Sequence, residues 1–127
     1  NGISFYTKTS VSISLWGTGN VYREFLHVDD MADACVHIMQ NVSSQKLYNQ
    51  LNQTHINIGS GIDITIKELA LIVKETVGYK GLLVWDDTKP DGTYKKQLDI
   101  SLLKKVGWSS KIPLKSGIQN VFNNYLK

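Results

Sequence analysis

Residues 11–39, VSISLWGTGNVYREFLHVDDMADACVHIM, change their hydrophobic period along the stretch, and that change decides the fold class. In residues 11–16 serine alternates with Val11, Ile13 and Leu15, the two-residue repeat of a strand with one buried face. Gly17, Thr18, Gly19 and Asn20 then make a turn, and residues 23–28 (REFLHV) read as a second short strand. Asp29 or Asp30 is placed to cap a helix beginning at Met31. Met31, Ala34, Cys35, Ile38 and Met39 follow at three-to-four spacing, which assigns them to the inner face of that helix.

The same alternation of periods continues outward. Residues 41–53 are polar and amide-rich, a frayed helix end and loop, and residues 55–58 (HINI) read as a strand running into Gly59, Ser60 and Gly61. Thr65 stands three residues before Glu68, the spacing of a capping box, and opens a helix with Leu69, Ile72, Val73 and Thr76 inward and Gly78 as its stop. A strand at 82–85 leads into the turn-rich segment 86–92, an extended piece covers 96–100, and a short helix is capped by Ser101. A last helix begins near Leu114, after Pro113, with Ile118, Val121, Phe122 and Tyr125 as its apolar stripe. Strands alternating with helices predict an α/β layer structure rather than a bundle or a sandwich.

With 127 residues, 42% hydrophobic and 20% charged, the chain suits one domain of ordinary composition. A single core at this length buries about two thirds of the unfolded surface, so neither a disulfide nor a metal is needed to hold it. Cys35 is the sole cysteine and reads as a core residue rather than a nucleophile. There is no apolar run of about 18 residues and no leader pattern, so a soluble, cytoplasmic protein without membrane contact is expected. The chain opens at Asn1 with no methionine, which suggests a piece of a longer polypeptide.

Fourteen basic residues against eleven acidic give a net charge of +3, with the excess in residues 67–127. The lysines are scattered along helix faces without interleaved aromatics, the pattern of a solvated surface and not of a nucleic-acid interface. Arg23 is the only arginine.

Complete catalytic sets are missing. There is no Walker loop, HExxH, CxxC or GxSxG, and His27, His37 and His55 lack metal-ligand spacing. Gly59-Ser60-Gly61 follows an expected strand, but without a third glycine it reads as a tight turn, with phosphate binding as the alternative. A recognition group remains: Trp16 beside a glycine turn, Arg23 seven residues on, and Asp91 in the turn Lys89-Pro90-Asp91-Gly92. An indole offers a flat apolar face, a guanidinium suits a diphosphate bidentately, and a carboxylate suits paired sugar hydroxyls. Each also admits a plainer reading as a packed tryptophan, a surface cation and a turn former.

Three segments taken together, LWGTGNVYREFLHVDDMADACVHIM (15–39), HINIGSGIDITIKELALIVKETVGYKG (55–81) and KPDGTYKKQLDISLLKKVGW (89–108), resemble the C-terminal part of the GDP-L-fucose synthases. These are epimerase/reductases of the extended short-chain dehydrogenase/reductase superfamily. REFLHVDD alone indicates the wider sugar-nucleotide superfamily, and KPDG with the following lysine-rich LD segment and GW narrows it. The resemblance covers residues 11–127, and residues 1–10 match poorly and are read as partly non-native.

The resemblance implies an α/β fold, the C-terminal substrate-binding portion of an extended short-chain dehydrogenase/reductase lacking the N-terminal Rossmann core. The whole of 1–127 is then one GDP-sugar-binding domain fragment. It assigns Trp16, Arg23 and Asp91 to the GDP-sugar, and puts NADP(H), its glycine-rich loop and the Tyr-x-x-x-Lys pair in the preceding domain. This chain then carries no catalytic, cofactor-binding or metal-binding residue and binds no cofactor, and none of its tyrosines has a lysine four residues later. The parent is expected to convert GDP-4-keto-6-deoxymannose to GDP-L-fucose with NADPH, as a homodimer, and the fragment alone to be inactive. Where the family reads TPRK after KPDG, this chain has Thr93, Tyr94, Lys95 and Lys96, and a further family arginine, expected some fifteen residues before Trp16, falls at Asn1 and is absent or upstream. Two other readings compete: another extended short-chain dehydrogenase/reductase acting on a different nucleotide sugar, and a non-catalytic sugar-nucleotide or nucleic-acid binding module.

Overall fold

A computed structural model describes residues 11–127, so the reading of residues 1–10 as partly non-native lies outside the described residues. The elements in chain order are β1 (Ile13–Trp16), β2 (Tyr22–Glu24), α1 (Val28–Asn41), β3 (Asp63–Thr65), α2 (Ile66–Val77), β4 (Leu83–Asp86), β5 (Lys95–Lys96), α3 (Ser101–Lys105) and α4 (Leu114–Tyr125). The α/β expectation holds. β1 runs parallel to β4, with Ile13 opposite Leu83 and Trp16 opposite Asp86. The second sheet has the order β3-β2-β5, antiparallel between β2 and β3 and parallel between β2 and β5.

Local chemistry sets several boundaries as expected. Thr65 Oγ1 accepts from the Glu68 N–H and Glu68 Oε2 accepts from the Thr65 N–H, the reciprocal capping box that starts α2. Gly78 ends α2 in the left-handed region at φ 69°, where a side chain would be strained. β4 is shifted by one residue from its expected place, and of the extended stretch expected at 96–100 only Lys96 pairs as a strand, together with the preceding Lys95. Residues 46–50, in the stretch expected to fray into a loop, form one π-helical turn.

The start of α1 differs from expectation. The strand ends at Glu24, the helix begins at Val28, and its cap is His27, whose Nδ1 accepts from the Asp29 N–H. Asp30 instead turns inward. It is 2% exposed, and its Oδ2 accepts from the N–H groups of Lys111 and Ile112. Asp33 Oδ2 takes hydrogen bonds from Trp108 Nε1 and Lys111 Nζ, each at 2.8 Å. Those carboxylates fix the rotation of α1 about its axis. Ala34 and Ile38 face the core, whereas Met31, Cys35 and Met39, expected on the inner face, are exposed. Cys35 is therefore not a core residue.

The core lies between α1 and the segment around α3. Ala34, Ile100, Leu103, Val106 and Trp108 are buried together, with Leu26, Ile38, Ile56 and Ile58 packed partly buried against them. Residues 55–58 were expected to be a strand and are not. Their isoleucines join the core, but a strand exists only through its ladder, and no described strand runs alongside. Ser101 does not cap α3 with its side chain; it is the first helical residue, and Asp99 Oδ1 accepts its N–H. In α4 the expected stripe faces a groove of about 450 Å³ shared with Phe25, Leu26 and Val77, and Val121 and Tyr125 remain exposed within it.

Candidate functional site

The parallel pairing of β1 with β4 brings two distant stretches of chain together at the ends of those strands. The Gly17 N–H donates to Asp86 O at 2.8 Å, and the Tyr22 N–H donates to Tyr94 O at 2.8 Å. Between these two bonds the glycine turn at 17–19 lies against the loop 87–93. The turn needs its glycines: Gly17 has φ 81°, and a Cβ there would stand 2.3 Å from Asp91 Oδ1. Gly19 has φ 75°, and a Cβ there would meet the Trp85 ring at 2.5 Å.

Asp91 is fastened to this turn. Its Oδ1 accepts from the Thr18 N–H and its Oδ2 from Thr18 Oγ1–H, both at 2.6 Å. The Thr18 hydroxyl, then the Thr18 N–H and the Gly19 N–H, hold the Asp91 carboxyl below its ordinary pKa. It is an ionised acceptor at neutral pH, and a carboxylate, with about four lone-pair sites, can still accept from a hydroxyl beside the Thr18 and Gly19 donors.

Arg23 sits in the central strand of the second sheet, half-buried. Its Nη1 donates to Tyr22 O at 2.5 Å and Thr93 O at 2.8 Å, so both protons of that nitrogen are used. Among the described residues nothing bonds Nε or Nη2, and Arg23 has no ion pair. The guanidinium is thus oriented by two carbonyls while its remaining edge keeps two donors, the arrangement that grips a phosphate bidentately. Nη2 faces Gly92, 3.8 Å from where a Cβ would stand.

Trp16 closes the group. It is 75% exposed at the end of β1, and Lys89 Nζ lies 5.8 Å from its ring centroid. The structure therefore brings the loop of Asp91 back against the stretch that carries Trp16 and Arg23, around one turn and one loop. Thr18 and Lys89 belong to the same group and were not singled out from the sequence. The signal for Thr18 was its place between two turn glycines, and for Lys89 its place in the same short turn as Asp91.

Glu24 has a different job. Its Oε1 accepts from the Gly61 N–H at 2.7 Å and its Oε2 from the Leu98 N–H at 2.9 Å, tying β2 to two loops. A Cβ on Gly59 would stand 2.3 Å from Glu24 Oε1. This carboxylate occupies the place an anion would need at Gly59-Ser60-Gly61, and β3 rather than a helix follows, so the turn is not a phosphate site. Among the described residues no three His, Cys, Asp or Glu side chains converge as a metal site would require. No described helix is long and apolar enough to cross a membrane.

Comparison with known proteins shows what the chain as a whole resembles. Residues 4–59 match the NAD dependent epimerase/dehydratase family. The chain is 51% identical over 115 residues to a putative GDP-L-fucose synthase of Arabidopsis thaliana, covering 91% of this chain and 33% of that protein. It is 45% identical over 121 residues to the GDP-L-fucose synthase of Escherichia coli K12, covering 94% of this chain and 38% of that protein. A Campylobacter jejuni GDP-D-glycero-L-gluco-heptose synthase, crystallised in the presence of NADPH, superposes with TM-score 0.81 at 42% identity over 91% of this chain and 33% of its own. The chain thus spans about a third of the length of the relatives it matches.

Proposed function

Because this chain has the fold and the sequence of the C-terminal portion of an extended short-chain dehydrogenase/reductase, we propose that it is the substrate-binding part of a GDP-L-fucose synthase. The parent would epimerise and reduce GDP-4-keto-6-deoxymannose with NADPH, and this portion would hold the GDP-sugar through Trp16, Arg23 and Asp91. The observation that carries the reading is that all three residues meet the one loop 87–93: Thr18 holds its Asp91, Arg23 Nη1 bonds its Thr93 carbonyl, and its Lys89 lies over the Trp16 ring. The free edge of Arg23 takes the diphosphate, the Trp16 ring gives a flat surface for stacking, and the Asp91 carboxylate accepts from sugar hydroxyls. Its share in catalysis is orientation, since a reacting ketone must be presented to groups that this chain does not carry. The NADPH site is assigned to the parent's other residues, in keeping with the Glu24 carboxylate that fills the Gly59-Ser60-Gly61 turn.

The second reading is a reductase of a GDP-heptose, favoured by the 42% identity to the Campylobacter jejuni synthase. It shares the nucleotide and differs in the sugar, so NADPH consumption with each GDP-4-keto sugar separates the two. A non-catalytic module remains the reading if neither sugar is turned over.

Titration of GDP into the full-length enzyme tests the site itself. Arg23→Ala is expected to weaken GDP about ten- to a hundredfold, the cost of a charge-assisted contact of about 1.5 to 3 kcal/mol. Arg23→Lys restores the charge but not the fork, and should recover only part. Equal affinities in all three proteins would remove Arg23 from the site.

A further inference from the structure

Building on the proposed GDP-sugar site, we infer that Thr18 is a positioning residue for it, clasping Asp91 so that the loop 87–93 is held at the distance at which Asp91 and Arg23 meet one ligand. The hydrogen-bond polarity of Thr18 is settled by its surroundings. The Asn20 N–H donates to Thr18 Oγ1 at 3.2 Å, which leaves the hydroxyl proton for Asp91 Oδ2 at 2.6 Å. The Thr18 N–H takes the other carboxylate oxygen, so the two bonds together fix both the position and the plane of the carboxylate.

The consequence reaches Arg23 because the clasp and the guanidinium hold the same loop. Asp91 and Thr93 flank Gly92; Thr18 grips the first and Arg23 Nη1 the carbonyl of the second. Outside these contacts the loop is tied at its ends, by Gly17 to Asp86 and Tyr22 to Tyr94. Lys89, whose ammonium lies over the Trp16 ring, rides on the same segment. Without the clasp the middle of the loop loses its attachment to the glycine turn, and Asp91, Lys89 and the Arg23 anchor lose a common register. A misplacement of about 1 Å in such a group is enough to weaken recognition markedly.

The test uses the full-length enzyme and compares wild type, Thr18→Val and Thr18→Ser in calorimetric titrations with GDP and with 2′,3′-dideoxy-GDP, alongside their melting temperatures. Valine keeps the shape and the backbone N–H but has no hydroxyl; serine keeps the hydroxyl. Thr18→Val should bind GDP about tenfold more weakly and lose most of the wild-type preference for GDP over the dideoxy nucleotide, because a misplaced Asp91 no longer reads the ribose hydroxyls. Thr18→Ser should retain both within about twofold. Unchanged GDP affinity in Thr18→Val overturns the inference. So does weaker binding with the ribose preference intact, which would make Thr18 a merely structural residue. Wild-type enzyme that binds no GDP at all would instead overturn the functional reading on which the inference rests.

Discussion

At the scale of single residues, carboxylates do more to organise this chain than its fourteen cations. Asp30 is buried on two backbone N–H groups, Glu24 ties two loops, Asp91 is clasped by Thr18, and Asp33 anchors Trp108. For Asp33 the Lys111 ammonium, then the Trp108 indole N–H, lower the carboxyl pKa in the folded chain. A group whose pKa is lowered by folding stabilises the fold above its unfolded value, about 3.9 for aspartate, and that contribution is lost as pH falls through the folded value. Thermal unfolding of Asp33→Asn against wild type should therefore show its widest gap near neutral pH. The gap should close as pH drops from about 5 to below 4, and a pH-independent gap would assign the effect to packing alone. None of these partners could be read from sequence, because Asp33 and Trp108 are 75 positions apart and no local rule links them.

At the scale of elements, what local chemistry specifies was legible and what pairing specifies was not. The boundaries of α2 were legible, since a capping box, an amphipathic run and a left-handed glycine are all encoded within fourteen residues of chain, although Val73, expected inward, is exposed. Thr65→Ala should accordingly cost about 1 kcal/mol in denaturant unfolding, with Thr65→Ser near wild type. A loss of a few tenths or less would show that tertiary contacts, not the cap, hold the start of α2. Residues 55–58 are the opposite case. Their alternating isoleucines have the propensity of a strand and are partly buried, yet the ladder that would make them one depends on a neighbour at a distance. β3 was missed for the same reason: Asp63, Ile64 and Thr65 are too short a run to signal a strand before a capping box, and they are extended because β2 lies beside them.

At the scale of the whole molecule, the candidate site faces the loops at the ends of β1 and β4, and the chain spans a third of the length of its relatives. Under the proposed reading it contributes substrate binding, and none of its tyrosines has a lysine four residues later. NADPH consumption with GDP-4-keto-6-deoxymannose, assayed on this chain alone, should stay at background. Restoring the full-length polypeptide should bring turnover back. Turnover by the 127-residue chain would place reacting groups among residues assigned here to binding.

The sequence by itself determined the α/β class, the boundaries of α2 and the glycine turn after β1, because periodicity, caps and short motifs act over a few residues. Tertiary structure decided the rest. It set which face of α1 is buried, through Asp30 and Asp33 gripping residues 108–112, and it denied residues 55–58 a ladder. It also closed the Gly59-Ser60-Gly61 turn to anions with the Glu24 carboxylate, and it joined Thr18 to Asp91 across 73 positions. Each of these rests on a hydrogen bond, or the lack of one, between residues distant in the chain, and only the folded chain brings such partners within reach of one another.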